Sequence, residues 1–117
     1  MKIFAGYDCG GTKTTCILAD EYGRVLGKGT GGPSNFLSCG FSIASASIKE
    51  STKQALSCAG IKDEKLYSAY FGSAAVEFFS ESQKVRAFFE ECVSAKYIRF
   101  NNDAYIAFYG ATFGKPG

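Results

Sequence analysis

Histidine is absent from the 117 residues, and none of the five cysteines (Cys9, Cys16, Cys39, Cys58, Cys92) forms a C-x-x-C pair. The usual ligands and spacing of a zinc site are therefore missing, and an odd, scattered cysteine count argues against a disulfide framework. Long apolar runs are missing too. The start, Met1-Lys2-Ile3-Phe4, reaches a glycine at Gly6, which fits neither a secretory signal nor a membrane span. Excess charge is scarce: the net value is +2 with no dense Lys/Arg block, which argues against nucleic acid or an anionic membrane as the main partner. A reducing cytoplasm is the expected compartment, where such cysteines serve as small buried apolar groups.

What is present is the composition of an ordinary globular domain, 46% hydrophobic and 15% aromatic, at a length that suits a single core over residues 1–117. Ile3 to Tyr7 reads as a strand, Asp8 to Gly11 as a tight turn, and Thr12 to Ala19 as a second strand. Within it Thr14, Cys16 and Leu18 share one face and Thr15, Ile17 and Ala19 the other, so both faces are small or apolar and the strand is central. Asp20-Glu21-Tyr22-Gly23 supplies a second turn, with Gly23 suited to positive φ, and Arg24 to Lys28 a third strand. Gly29 to Asn35 reads as a loop rich in breakers. Phe41, Ala44, Ile48, Thr52, Ala55 and Ala59 then mark an amphipathic helix stopped by Gly60. Leu66 to Phe71 is a fourth strand closed by Gly72-Ser73-Ala74-Ala75. A second helix carries the stripe Phe78, Ser82, Val85, Phe89 and Cys92, broadened by Phe79 and Phe88. Tyr97 to Phe100 is a fifth strand, and a third helix starts near Ala104. The order βββαβαβα, with right-handed crossovers, predicts an α/β fold built on a mixed five-stranded sheet, with the fourth and fifth strands parallel.

The chemistry concentrates in Asp8-Cys9-Gly10-Gly11-Thr12-Lys13-Thr14. Consecutive glycines at a hairpin let the backbone approach a phosphate, and the amides of Gly10 to Lys13 can form an anion-binding nest. Thr12 and Thr14 add hydroxyl donors, Lys13 a cation, and Asp8 a carboxylate placed to hold hydrated Mg2+. A plain β-turn in which Asp8 caps its own loop is the competing account. The motif is neither a Walker A loop nor a G-x-G-x-x-G fingerprint, because those lead from strand to helix.

This stretch resembles the first phosphate motif of the actin-like ATPase superfold, whose lobes are ribonuclease H-like. More narrowly, the chain is similar to the BadF/BadG/BcrA/BcrD ATPase family, which includes N-acetylglucosamine kinases. Gly32-Pro33-Ser34-Asn35, Gly72-Ser73-Ala74-Ala75 and Asn102-Asp103-Ala104 match that subgroup in order, while Cys9 stands where the family usually has a first glycine. The resemblance implies ATP and Mg2+ as cofactors and Asn35 as a sugar ligand, with Ser34 and Ser73 near the sugar. It implies Asp103 as the carboxylate that takes the proton from the attacking sugar hydroxyl. Each has a plainer alternative: Asn35 or Ser34 as a helix or turn cap, Ser73 as a strand-ending turn residue, Asp103 as an N-cap.

The resemblance further implies a small-molecule sugar substrate and a C-terminal lobe of the same protein as partner, and it leaves a homodimer open. The second phosphate loop and the adenosine loop of the superfold do not occur in these residues. The chain is therefore expected to be the N-terminal lobe of a longer protein, inactive alone, phosphorylating N-acetylglucosamine or a related amino sugar or hexose. Two other functions stay open. One is an ATPase activator of a 2-hydroxyacyl-CoA dehydratase or benzoyl-CoA reductase system, disfavoured by the Pro-Ser-Asn loop and the Asn-Asp-Ala aspartate. The other is a non-catalytic sugar-sensing protein.

Overall fold

The computed structural model describes residues 1–62, 65–78 and 82–102. β1 (Phe4–Cys9), β2 (Thr14–Ala19) and β3 (Val25–Gly31) form the expected antiparallel meander. Its first turn falls at 10–13 rather than 8–11, because Asp8 and Cys9 still pair with Thr15 and Thr14. The second turn closes on Asp20, whose Oδ1 accepts from the amides of Tyr22 and Arg24 at 2.9 and 3.0 Å, with Gly23 at φ 83°. β4 (Leu66–Gly72) runs parallel to β1, and β5 (Ala95–Asn101) parallel to β4. The sheet order is β3-β2-β1-β4-β5, which places β1 at the centre and β2 inside the sheet as its two apolar faces require.

One expectation fails at the end of β3, and the reason is packing. Gly29, Thr30 and Gly31 continue the strand instead of opening a loop. Gly27, Gly29 and Gly31 share the face on which helix α2 (Phe41–Ala59) lies, and a Cβ at those positions would collide with the carbonyls of Ala55, Ser51 and Ser47 respectively. Glycine every second residue on the strand meets a small residue every fourth residue on the helix, and the two backbones come together with no side chain between them. The buried stripe of α2 is accordingly Ala44, Ser47, Ile48, Ser51 and Ala55, while Phe41 is 41% exposed. Gly60, at φ 71°, ends the helix, with the Gly60 amide donating to the Ser57 carbonyl and the Ile61 amide to the Leu56 carbonyl as in a Schellman cap.

A short helix not expected from the pattern, α1 (Phe36–Cys39), precedes α2. The second expected helix is divided: a 3-10 turn spans Ala74–Phe78, and α3 (Ser82–Cys92) buries Val85, Phe88, Phe89 and Cys92. Phe79 and the helix expected from Ala104 lie outside the described residues. The core lies between one sheet face and α2 with α3. Tyr7 stacks on Phe71 (centroids 4.4 Å) and Phe71 on Phe89 (4.1 Å), with Phe100 beside Phe89 and Phe36 against Phe88. Such ring pairs add about 0.5–1.5 kcal/mol each beyond the area they bury. The Tyr7 hydroxyl, buried in this core, is bonded to Thr52 Oγ1 of α2 at 2.7 Å.

Candidate functional site

The carboxyl ends of β1, β4 and β5 lie in line, with Asp8 beside Gly72 and Gly72 beside Asn101. At this edge β1 turns back into antiparallel β2 while β4, on its other side, leads into a 3-10 turn and helix. Chain connections diverge there, which is where α/β sheets open a ligand crevice. Every motif residue within the described set comes to this edge.

The hairpin at 10–13 is held by the Gly10 amide donating to the Lys13 carbonyl at 3.0 Å. Neither Gly10 nor Gly11 has positive φ, so the left-handed region does not explain them. A Cβ on Gly10 would stand 2.9 Å from the Lys13 carbonyl oxygen, whereas one on Gly11 would meet nothing within 4 Å. Gly11 thus leaves open space over an exposed turn that also carries Thr12 and Lys13. Asp8, half-buried at the root of the hairpin, makes no side-chain hydrogen bond or ion pair among the described residues, so the loop cap that would explain it locally is not formed.

Thr14 and Ser34 are placed differently from the other motif residues. Both are buried, at 0% and 1% exposure, and their hydroxyls lie 2.5 Å apart; Thr14 Oγ1 also donates to the Gly32 carbonyl at 2.7 Å. The amides of Ser34 and Asn35 both donate to the Gly10 carbonyl, at 3.0 and 3.1 Å, which fastens the 32–35 loop to the hairpin. Cys9 is buried beside them. Its thiol is pushed up to about 12, chiefly by burial, with the Ser34 hydroxyl pulling it partly back.

Asn35 is the N-cap of α1, its Oδ1 accepting from the Leu37 amide at 3.1 Å. The expected cap is therefore real, and it leaves the other half of the amide, Nδ2, for a ligand. Ser73 continues β4: its amide donates to the Asn101 carbonyl at 2.8 Å and its carbonyl accepts from Val76 at 3.2 Å. Its own hydroxyl is buried and has no hydrogen-bond partner among the described residues. An orphaned buried hydroxyl costs about 1–3 kcal/mol, so it marks a place where a ligand polar group would fit. Asp103 lies outside the described residues, directly after Asn102. The sequence held no signal for the double bond onto the Gly10 carbonyl or for the burial of Ser73, since both depend on contacts across the sheet edge.

Among the described residues no group of three or more acidic, cysteine or histidine side chains could hold a metal. A carboxylate without a partner among the described residues, such as Asp8, fits Mg2+ nonetheless, because that ion keeps most of its water and takes one or two carboxylates plus phosphate oxygens. No helix among the described residues is long and apolar enough to cross a membrane.

Comparison with known proteins agrees with this arrangement. The model of the BadF/BadG/BcrA/BcrD ATPase family matches residues 5–117. An N-acetyl-D-glucosamine kinase of Dictyostelium discoideum is 30% identical over 97% of this chain, which spans 38% of that relative's length. In fold, the chain superimposes on a candidate N-acetylglucosamine kinase from Chromobacterium violaceum with a TM-score of 0.73 at 21% identity, covering 98% of this chain and 39% of that one. A reductive activator for a corrinoid, iron-sulfur protein shares the fold at a TM-score of 0.54 and 15% identity, covering 65% of this chain and 15% of its own. The five-stranded mixed sheet is that of the actin-like ATPase and sugar-kinase lobes, and the chain belongs to the BadF/BadG/BcrA/BcrD ATPase family.

Proposed function

We propose that this chain is the N-terminal lobe of an ATP-dependent sugar kinase whose acceptor is N-acetylglucosamine or a related amino sugar. The observation that carries this reading is the hairpin at 10–13. It is locked to the 32–35 loop, leaves open space at Gly11, and stands at the same sheet edge as Asp8 and the buried Ser73 hydroxyl, neither of which has a side-chain partner among the described residues. The resemblance to sugar kinases and the 30% identity to an N-acetyl-D-glucosamine kinase supply the substrate class.

In this reading the amides of Gly10 to Lys13, with Thr12 and Lys13, hold the ATP phosphates, and Asn35 and Ser73 orient the sugar. Asp103 accepts the proton of the sugar hydroxyl as its oxygen bonds to the γ-phosphorus and the bond to the bridging oxygen breaks, releasing ADP. Bound Mg2+, held by Asp8 through water, would neutralise charge on the β- and γ-phosphates. A second lobe closes over the nucleotide, and the isolated 1–117 lobe is inactive.

The test is ADP release by the full-length protein with N-acetylglucosamine, glucosamine and glucose. At least one sugar should raise it well above background, and none doing so would refute the kinase reading. Asp103→Asn should then lower kcat by about a hundredfold or more at nearly unchanged melting temperature, since asparagine keeps an N-cap but cannot serve as base. Full activity in Asp103→Asn would remove Asp103 from the mechanism.

A further inference from the structure

Thr14 and Ser34 belong by sequence to two motifs with two ligands, yet their hydroxyls meet inside the protein and are closed to solvent. Each hydroxyl has one proton to give. Thr14 Oγ1 lies within hydrogen-bond distance of both the Ser34 hydroxyl and the Gly32 carbonyl, and the Cys9 thiol stands beside Ser34. The two hydroxyls are therefore satisfied among the described residues without any ligand. A second set of bonds runs in parallel: the Gly10 carbonyl, at the start of the hairpin, takes the amides of Ser34 and Asn35. Asn35 then caps α1, and the next residue, Phe36, packs into the aromatic core against Phe88 and Phe89. Among the described residues the hairpin thus reaches that core through β1, β2 and the 32–35 loop.

We propose that Thr14 and Ser34 are positioning residues that form a buried hydroxyl clasp, through which the hairpin and the 32–35 loop move as one body and filling either subsite orders the other. The assignment of ligands to the two subsites rests on the kinase reading above; the mechanical clasp does not. Ordering one loop by a ligand removes part of the entropy that a second ligand must otherwise meet, and such coupling is reciprocal: sugar tightens nucleotide by the same factor as nucleotide tightens sugar.

The experiment compares Thr14→Val, Thr14→Ser and Ser34→Ala in the full-length protein. Hydrogen exchange should accelerate about tenfold in both segments, 10–13 and 32–35, in Thr14→Val and in Ser34→Ala, the factor equivalent to about 1.4 kcal/mol, and return close to wild type in Thr14→Ser. Calorimetric Mg-ADP affinity, measured with and without N-acetylglucosamine, should lose its sugar dependence in Thr14→Val. Turnover should show both KM values raised with kcat little changed. Loosening of the 32–35 loop alone in Ser34→Ala would overturn the clasp. So would a rise in the nucleotide KM alone in Thr14→Val, the pattern of a side chain that touches phosphate. Should the wild type phosphorylate no sugar, the kinase reading fails while the exchange data still decide the clasp. Where Thr14→Val does not fold, the smaller change Ser34→Ala gives the same cross-loop readout.

Discussion

At the scale of single residues, Gly11 and Asp8 separate a ligand site from a plain turn. Gly11 needs no positive φ and faces open space, so Gly11→Ala should alter stability by less than about 0.5 kcal/mol. The same methyl group would stand where a phosphate approaches, and nucleotide affinity measured by calorimetry on the full-length protein should fall about tenfold or more. Unchanged affinity would make the glycine incidental. Asp8→Asn keeps the size of the side chain and removes its charge. It should depress Mg2+-dependent ATP turnover strongly while the melting temperature barely moves, because no described residue pairs with the carboxylate. A large drop in melting temperature with turnover intact would show that Asp8 supports the fold instead.

At the scale of elements, the contact of α2 with β3 positions the 32–35 loop, because β3 delivers that loop and α2 fixes β3. Gly29→Ala would drive a methyl group into the Ser51 carbonyl, a backbone atom that cannot swing aside. A loss of about 3 kcal/mol in denaturant unfolding is expected, at the upper end for overpacking. Lys28→Ala, exposed on the same strand, should cost less than about 0.5 kcal/mol. Equal effects from the two would mean that helix and strand are not packed backbone to backbone. The element pattern was otherwise largely legible: alternation marked the strands, and Asp20, Gly23 and Gly60 marked turns and a cap through an accepting carboxylate and positive φ. The short helix α1 was not legible, because its 4 residues are too few to show a helical period.

At the scale of the whole molecule, burial of titratable groups sets a limit on the alkaline side. Cys9 and Cys16 are pushed from 9.0 up to about 12, chiefly by burial, and buried Tyr7 is also raised well above its ordinary value. The folded state therefore keeps protons that the unfolded chain releases above pH 9, so the stabilisation is complete below about pH 9 and is lost as pH rises toward 12. Denaturant midpoints should be flat from pH 7 to 8.5 and fall above it; a midpoint that rises would contradict the burial of these groups. Thiol reagents at pH 8 should modify exposed Cys58 quickly and leave Cys9 and Cys16 intact until unfolding. By itself the sequence determined the order of the five strands, the antiparallel meander with its first hairpin and the parallel pair, because periodicity, turn chemistry and motif spacing are local properties of the chain. Only the tertiary structure decided that Gly29 and Gly31 are strand and not loop, that Thr14 and Ser34 hold each other, and that the Ser73 hydroxyl is buried without a partner among the described residues. A glycine in a turn and a glycine under a helix look alike in sequence, as do a hydroxyl offered to a ligand and one offered to a neighbour. The difference lies in what stands opposite, and for Gly29 and Thr14 that partner is about twenty residues away along the chain.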